Sequence, residues 1–312
     1  MIRIRRIVAD LKSSLASGGI EGMARTHSAA MRSCFSYRLF CGLLDLVYPV
    51  TALLDLMKDL DRQVERRGLT AASLAVLDML PTSWKAEFPV SGADEIRTRP
   101  AIVFGRHGSI LTPFLVAASL DRSDMKMLGA SYVAKLGPSI ARRVIPVELP
   151  IPTFRRAARK GLLLRAGAWL TARLDSPPGE KSIARERNRT SLANAAEHVR
   201  CGGALLIAPD ARNPKAKWRA GIGLVVAHIA LGAVPDDDVC LVPYRVWASI
   251  TGIFHLLSRN PLMRIIGRWQ YRRPIRVVFG EPIPLRDVIE HAGYDPAAIT
   301  ERLEAYYRSL GF

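Results

Sequence analysis

Residues 102–120 read IVFGRHGSILTPFLVAASL. Together with Ala101, the segment Ile102-Val103-Phe104 is an uninterrupted apolar run, the pattern of a strand covered on both faces. Gly105 ends the run, Arg106-His107-Gly108-Ser109 is polar, and apolar residues resume at Ile110. A strand that breaks at glycine and feeds a helix places its polar turn at the carboxyl rim of a sheet. In α/β folds that rim is where chemistry is found. His107 is therefore the first candidate for a functional side chain, and Ser109 reads as the N-cap of the helix to Leu120.

Working outward, the same alternation continues. Strands are expected at Ala101–Phe104, around Met127-Leu128, at Val144–Leu149, Ala204–Ala208, Val239–Val246 and Ile275–Phe279. Helices are expected between most of them, at Ser109–Leu120, Pro138–Arg143, Ser182–Arg200 and Ile222–Leu231. Strands that alternate with helices argue for an α/β fold with a mostly parallel central sheet flanked by helices. Ahead of it, residues 1–98 read as a separate N-terminal helical, membrane-associating region, with residues 99–312 forming the α/β domain. Residues 61–85 continue this helical reading as far as Pro81.

The totals set limits. The 312 residues are 49% hydrophobic and 23% charged, with a mean hydropathy of +0.11. Such a chain builds a sizeable core and still has apolar surface to spare. The formal charge of +17 calls for an anionic partner or surface. Of the 45 Lys and Arg residues only nine are lysine; arginine suits bidentate phosphate binding, although a GC-rich genome produces the same bias. Cys34, Cys41, Cys201 and Cys240 show no metal-type spacing and read as reduced core residues in a cytosolic compartment. The start, MIRIRRIVADLKSSLASGG, has no long apolar run before its first acid, unlike a secretory leader.

Four stretches bear on a lipid surface. Ile2, Ile4, Ile7, Val8 and Leu11 alternate with Arg3, Arg5, Arg6 and Lys12, as in a short basic amphipathic helix. Residues 34–57 are more apolar, but Asp45, Pro49 and Asp55 interrupt them. A dipping helical hairpin or a helix packed on the main domain is expected there instead of a span. Two basic amphipathic insertions follow, near 154–181 and 253–273, in which arginines interleave with Leu and Trp. A peripheral or monotopic protein on the cytoplasmic face of the inner membrane, with anionic lipid as partner, is the resulting expectation. Nucleic acid is not expected as a partner, because the basic residues interleave with apolar runs and no nucleic-acid-binding module is present.

The blocks after residue 100 resemble, in order and spacing, the glycerolipid acyltransferase superfamily, the lysophosphatidate acyltransferase-like proteins. The similarity covers roughly Arg99 to Asp287. The family's first block is a strand followed by His and, five positions on, an acid; here His107 matches and Thr112 stands in place of the acid. Met127 to Lys135 with Ile145-Pro146-Val147 is similar to the second region, though Glu148 follows where an Arg is common. The Pro-Glu-Gly-Thr-Arg block becomes Pro209-Asp210-Ala211-Arg212-Asn213, with Lys217 and Gly221 beyond it. Leu241-Val242-Pro243-Tyr244 and Val277 to Leu285 resemble the fourth block and the closing strand and turn.

The resemblance implies transfer of a fatty acyl group from a coenzyme A or acyl-carrier-protein thioester to the hydroxyl of a lysophospholipid or other lipid-like acceptor. The thioester is a co-substrate, and neither a bound cofactor nor a metal is implied. His107 would be the general base. Its partner would come from elsewhere, from Asp210, Asp121 or Glu148 or from a backbone carbonyl, with Asp210 taken as the catalytic choice. Arg106, Gly108, Arg212 and Lys217 would bind substrate, the cations through its phosphate. His228 reads as a core histidine, and His198 as a partner of a helix C-terminal dipole. The replacement of the acid by Thr112 also motivates an alternative: a non-catalytic member of the same fold that binds lipid or a partner protein at the membrane.

Overall fold

The computed structural model describes residues 2–45, 49–89, 92–109, 111–148, 181–210, 217–232, 238–248 and 252–312. The segment 154–180 of the first basic insertion and the residues Ala211 to Ala216 therefore lie outside the described residues. The sheet is built around β2 (Ala101–Gly105), all five residues of which are buried. Strand β5 (Ala204–Ile207) pairs with it in parallel on one edge and β6 (Cys240–Trp247) in parallel on the other. Beyond β5 come β3 (Lys126–Ala130) and β4 (Val144–Val147), also parallel. Beyond β6 the direction reverses: β7 (Ile275–Phe279) runs antiparallel to β6, and β1 (Trp84–Glu87) is parallel to β7. The order is β1-β7-β6-β2-β5-β3-β4, and the two-residue β8 (Ile283–Pro284) pairs with β6. All six expected strands are present. The seventh, β1, arises within the stretch expected to be helical or connecting.

Side chains of β2 alternate between two cores. Ala101 and Val103 face a cluster filled by α5 (Thr112–Leu120) and the later half of α3 (Val50–Asp78). Ile102 and Phe104 face the opposite cluster, filled by α7 (Lys181–Arg200), α8 (Gly221–Ala230) and the C-terminal helices α11 (Leu285–Ala292) and α12 (Pro296–Ser309). The parallel strands thus have helices on both faces, which is why they read as continuous apolar runs.

The N-terminal helices form a third cluster. Helix α1 (Ile2–Ser33) is kinked at Gly18 and Gly19. It packs with α2 (Phe35–Leu44) and the first half of α3 around Val8, Leu11, Leu15, Tyr37, Cys41 and Leu54. This cluster is fastened to the sheet side. The Ile20 N–H donates to the Leu136 carbonyl at 3.1 Å. The Asp61 carboxylate accepts from the Ser139 and Ile140 N–H groups at the start of the short helix α6 (Pro138–Ala141). Among the described residues no helix is long and apolar enough to cross a membrane. Helix α2 instead buries Tyr37, Cys41 and Leu44 and exposes Phe35, Leu39 and Leu43.

The four cysteines are free, as expected, but only Cys41 and Cys240 are core residues; Cys34 is half-buried and Cys201 exposed. Gly105 has a packing reason to be glycine. A Cβ there would sit 2.2 Å from the Tyr244 carbonyl oxygen on β6, whereas a Cβ on Gly108 would meet only the Val246 carbonyl oxygen at 3.8 Å. Gly105→Ala is expected to destabilise the fold by about 3 kcal/mol. Gly108→Ala should cost less than about 1 kcal/mol, both read by chemical denaturation.

Candidate active site

Sheet register places the candidate residues. Phe104 of β2 pairs with Ile207 of β5. His107 lies three residues beyond the first and Asp210 three beyond the second, so both emerge at the same carboxyl rim. The chain leaving β2 enters α5 on one face of the sheet, and the chain leaving β5 leads to α8 on the other. Neighbouring parallel strands whose connections depart to opposite faces leave a crevice between them, the usual site for ligands in open α/β sheets. His107 and Asp210 flank that crevice.

Successive backbone groups of the turn are each held from a different element. The Tyr244 hydroxyl on β6 donates to the Gly105 carbonyl at 3.5 Å. The Arg106 N–H donates to the Tyr307 hydroxyl on α12 at 3.4 Å. The His107 N–H donates to Asp210 Oδ1 at 3.4 Å. These bonds are long, but they come from three directions and leave the turn little freedom. Downstream, the Gly108 N–H donates to the Arg106 carbonyl at 3.0 Å. That N–H is therefore committed within the turn and is not aimed at an oxyanion. Gly108 is also absent from the positive-φ residues; its lack of a side chain leaves open space.

Thr112, where the resembled family carries an acid, is buried, and its hydroxyl accepts from the Ser109 N–H at 3.2 Å. The Ser109 hydroxyl accepts from the Leu111 N–H at 3.2 Å. The expected Ser109 cap is thus one element of a tight turn, and the helix starts three residues later, at Thr112. The threonine serves the backbone of the turn, a task that needs only a short acceptor.

Of the three acids proposed as partners for His107, one reaches the turn. Asp121 sits at the far end of α5 in a left-handed C-cap. Glu148 accepts from the Ser131 hydroxyl at 3.0 Å and faces Arg187 at 3.6 Å. Asp210 is 3% exposed. Burial pushes its carboxyl above the ordinary value, while the His107 N–H and the nearby Arg106 charge oppose the shift. Its second oxygen, Oδ2, and Arg106 Nε are buried and have no hydrogen-bond partner among the described residues. Buried polar atoms of this kind are costly in a folded protein and are what a polar ligand would satisfy.

The remaining candidates fall elsewhere. Arg212 lies outside the described residues. Lys217 is exposed and its ammonium is paired with Glu301 of α12 at 2.6 Å. The neighbouring Trp218 instead packs inward, edge-on to Phe104 and against Tyr307, so this segment braces the floor of the rim. His198 contacts the Ala204 carbonyl oxygen through Nε2 at 3.2 Å, and burial lowers its pKa. A lowered pKa favours the neutral ring, contrary to the dipole role expected for it. His228 is half-buried in α8. Among the described residues no cluster of three or more His, Cys, Asp or Glu could hold a metal ion. Sequence reading missed Tyr244 and Tyr307 as supports of the turn, since neither lies near it in the chain.

No protein-family model matches the chain, and no curated protein matches it. Among solved structures, the chain is similar to the 1-acyl-sn-glycerophosphate (LPA) acyltransferase PlsC from Thermotoga maritima. The identity is 14% and the TM-score 0.38, with 100% of this chain and 97% of that one covered.

The raised pKa of Asp210 has a consequence for stability. A carboxyl that binds its proton more tightly when folded contributes most below the ordinary value of 3.8, and that contribution is lost as pH rises through the folded pKa. Ionised Asp210 therefore costs stability at neutral pH. Asp210→Asn keeps an acceptor for the His107 N–H without the charge. Denaturation is expected to show it matching the wild type below the ordinary carboxylate range and gaining on it toward neutral pH. A loss of more than about 1 kcal/mol at neutral pH would contradict this assignment.

Proposed function

We propose that the protein is an O-acyltransferase. It moves a fatty acyl group from an acyl-coenzyme A or acyl-carrier-protein thioester to the hydroxyl of a lysophospholipid or other lipid-like acceptor. The observation that carries this reading is the contact between the His107 turn and Asp210 at the carboxyl rim of the sheet. A histidine is fixed by its backbone beside a buried carboxylate, with Asp210 Oδ2 and Arg106 Nε unpaired among the described residues. The order of sequence blocks from Arg99 to Asp287 supports the same reaction class.

In the proposed reaction the acceptor hydroxyl attacks the thioester carbonyl carbon as His107 takes its proton. The new C–O bond forms, the C–S bond breaks, and the imidazolium returns the proton to the departing thiolate. Asp210 holds the turn that carries His107 and lowers the energy of the imidazolium through its negative charge. Arg106 and Arg212 bind phosphate on the acceptor or on the donor's carrier arm. Lys217 would join them only by leaving Glu301. The open face of Gly108 lets the acyl carbonyl approach the backbone. The reaction needs no metal or bound cofactor, and a lipid acceptor places the protein at the cytoplasmic surface of an anionic membrane.

The test is ester formation by the purified protein, read by mass spectrometry with both kinds of thioester donor and a panel of lysophospholipid and other hydroxyl-bearing lipid acceptors. His107→Ala is expected to lower kcat by about 10²- to 10⁴-fold with the fold unchanged. Arg212→Ala should raise KM for a phosphate-bearing acceptor. The occupation of Thr112 by the turn favours one competing reading, a lipid- or partner-binding protein without turnover. It would gain if no donor and acceptor pair reacted and His107→Ala left cellular lipid composition unchanged.

A further inference from the structure

Helix α10 (Pro261–Gln270) turns Gly267 inward, with Met263 and Ile266 half-buried. Gly267 packs so closely on the preceding helix α9 (Gly252–Leu257) that a Cβ would lie 2.8 Å from the Leu256 nitrogen. Gln270 meets His255 Nδ1 at 2.9 Å, and the following Tyr271 is buried against Gly252. The apolar residues at spacing i, i+3 and i+7, Leu262, Ile265 and Trp269, share the other face. They are 59%, 61% and 61% exposed. Arg264, Arg268, Arg272 and Arg273 are exposed around them. Asn260 caps the helix by accepting from the Leu262 N–H at 2.9 Å, so the helix is fully formed with its apolar face outward.

We infer that this face of α10 docks the protein on an anionic phospholipid bilayer, with Leu262, Ile265 and Trp269 entering the interface and the arginines meeting lipid phosphates. The inference rests on the proposal that the protein works at a lipid surface, but it does not depend on acyl transfer. Charge complementarity selects the occupant. A second copy of the chain would bring four more arginines into a contact of low dielectric, whereas an anionic leaflet supplies the opposite charge. Tryptophan beside long cationic side chains also suits a boundary that is apolar on one side and wet on the other.

The experiment is flotation of the full-length protein with phosphatidylcholine vesicles, with and without phosphatidylglycerol, in the absence of any acyl donor. Binding is expected only with phosphatidylglycerol and should weaken as salt rises. The triple variant Leu262→Ser, Ile265→Ser, Trp269→Ser should partition at least about tenfold more weakly. Its thermal midpoint should be unchanged, since the three side chains are exposed. Vesicle-induced blue shift of tryptophan emission should be smaller in Trp269→Phe, a substitution of an exposed side chain. Partitioning of the triple variant equal to wild type would overturn the inference. So would a wild-type dimer that the triple variant dissociates, or no vesicle binding at all. Acyl transfer to a detergent-dispersed acceptor, measured separately on the triple variant, distinguishes failure of docking from failure of the proposed reaction.

Discussion

The structure around the crevice depends on how the backbone from Gly105 to His107 is held. Three consecutive residues use a carbonyl, an amide and an amide on side chains from β6, α12 and the end of β5. No single bond is strong, yet a turn restrained from three elements can move only if the sheet and its C-terminal helix move with it. The glycine at the head of the turn is imposed by the same crowding, because Tyr244 passes directly against it. Burial also holds the Tyr244 phenol well above its ordinary pKa, which favours its donor form toward Gly105. The rim is therefore set by packing, and the ionisable groups are mounted on it.

That arrangement explains what Thr112 and Asp210 divide between them. An acid five residues after the histidine would stand at the first residue of α5. In this chain that position is occupied by a hydroxyl that closes the turn on itself. The acid instead arrives on the neighbouring strand's end and grips the histidine by its backbone. Among the described residues its Oδ2 and the Arg106 Nε are buried without a hydrogen-bond partner, an arrangement that folding alone does not favour.

Much of this was legible in the sequence. The strands were found because those covered on both faces read as unbroken apolar runs, and the pairing of Phe104 with Ile207 puts His107 and Asp210 at equal depth. Strand β1 was not legible: Trp84-Lys85-Ala86-Glu87 is four residues long and half polar, as an edge strand can be. It also follows directly on a long helical pattern. The supports from Tyr244 and Tyr307 were invisible because they depend on packing between segments well over a hundred residues apart. The outward face of α10 was only half legible. Its amphipathic pattern is plain, but the pattern alone cannot say which side meets the core, and Gly267 decides it.

The most direct measurement of the central claim is a double-mutant cycle on kcat/KM for acyl transfer, using His107→Ala, Asp210→Asn and the two combined. If the Asp210 charge acts by stabilising His107, removing that charge after the histidine is gone should cost almost nothing more, and the double variant should resemble His107→Ala alone. If the two losses instead multiply, the residues act independently and Asp210 does not work through the histidine.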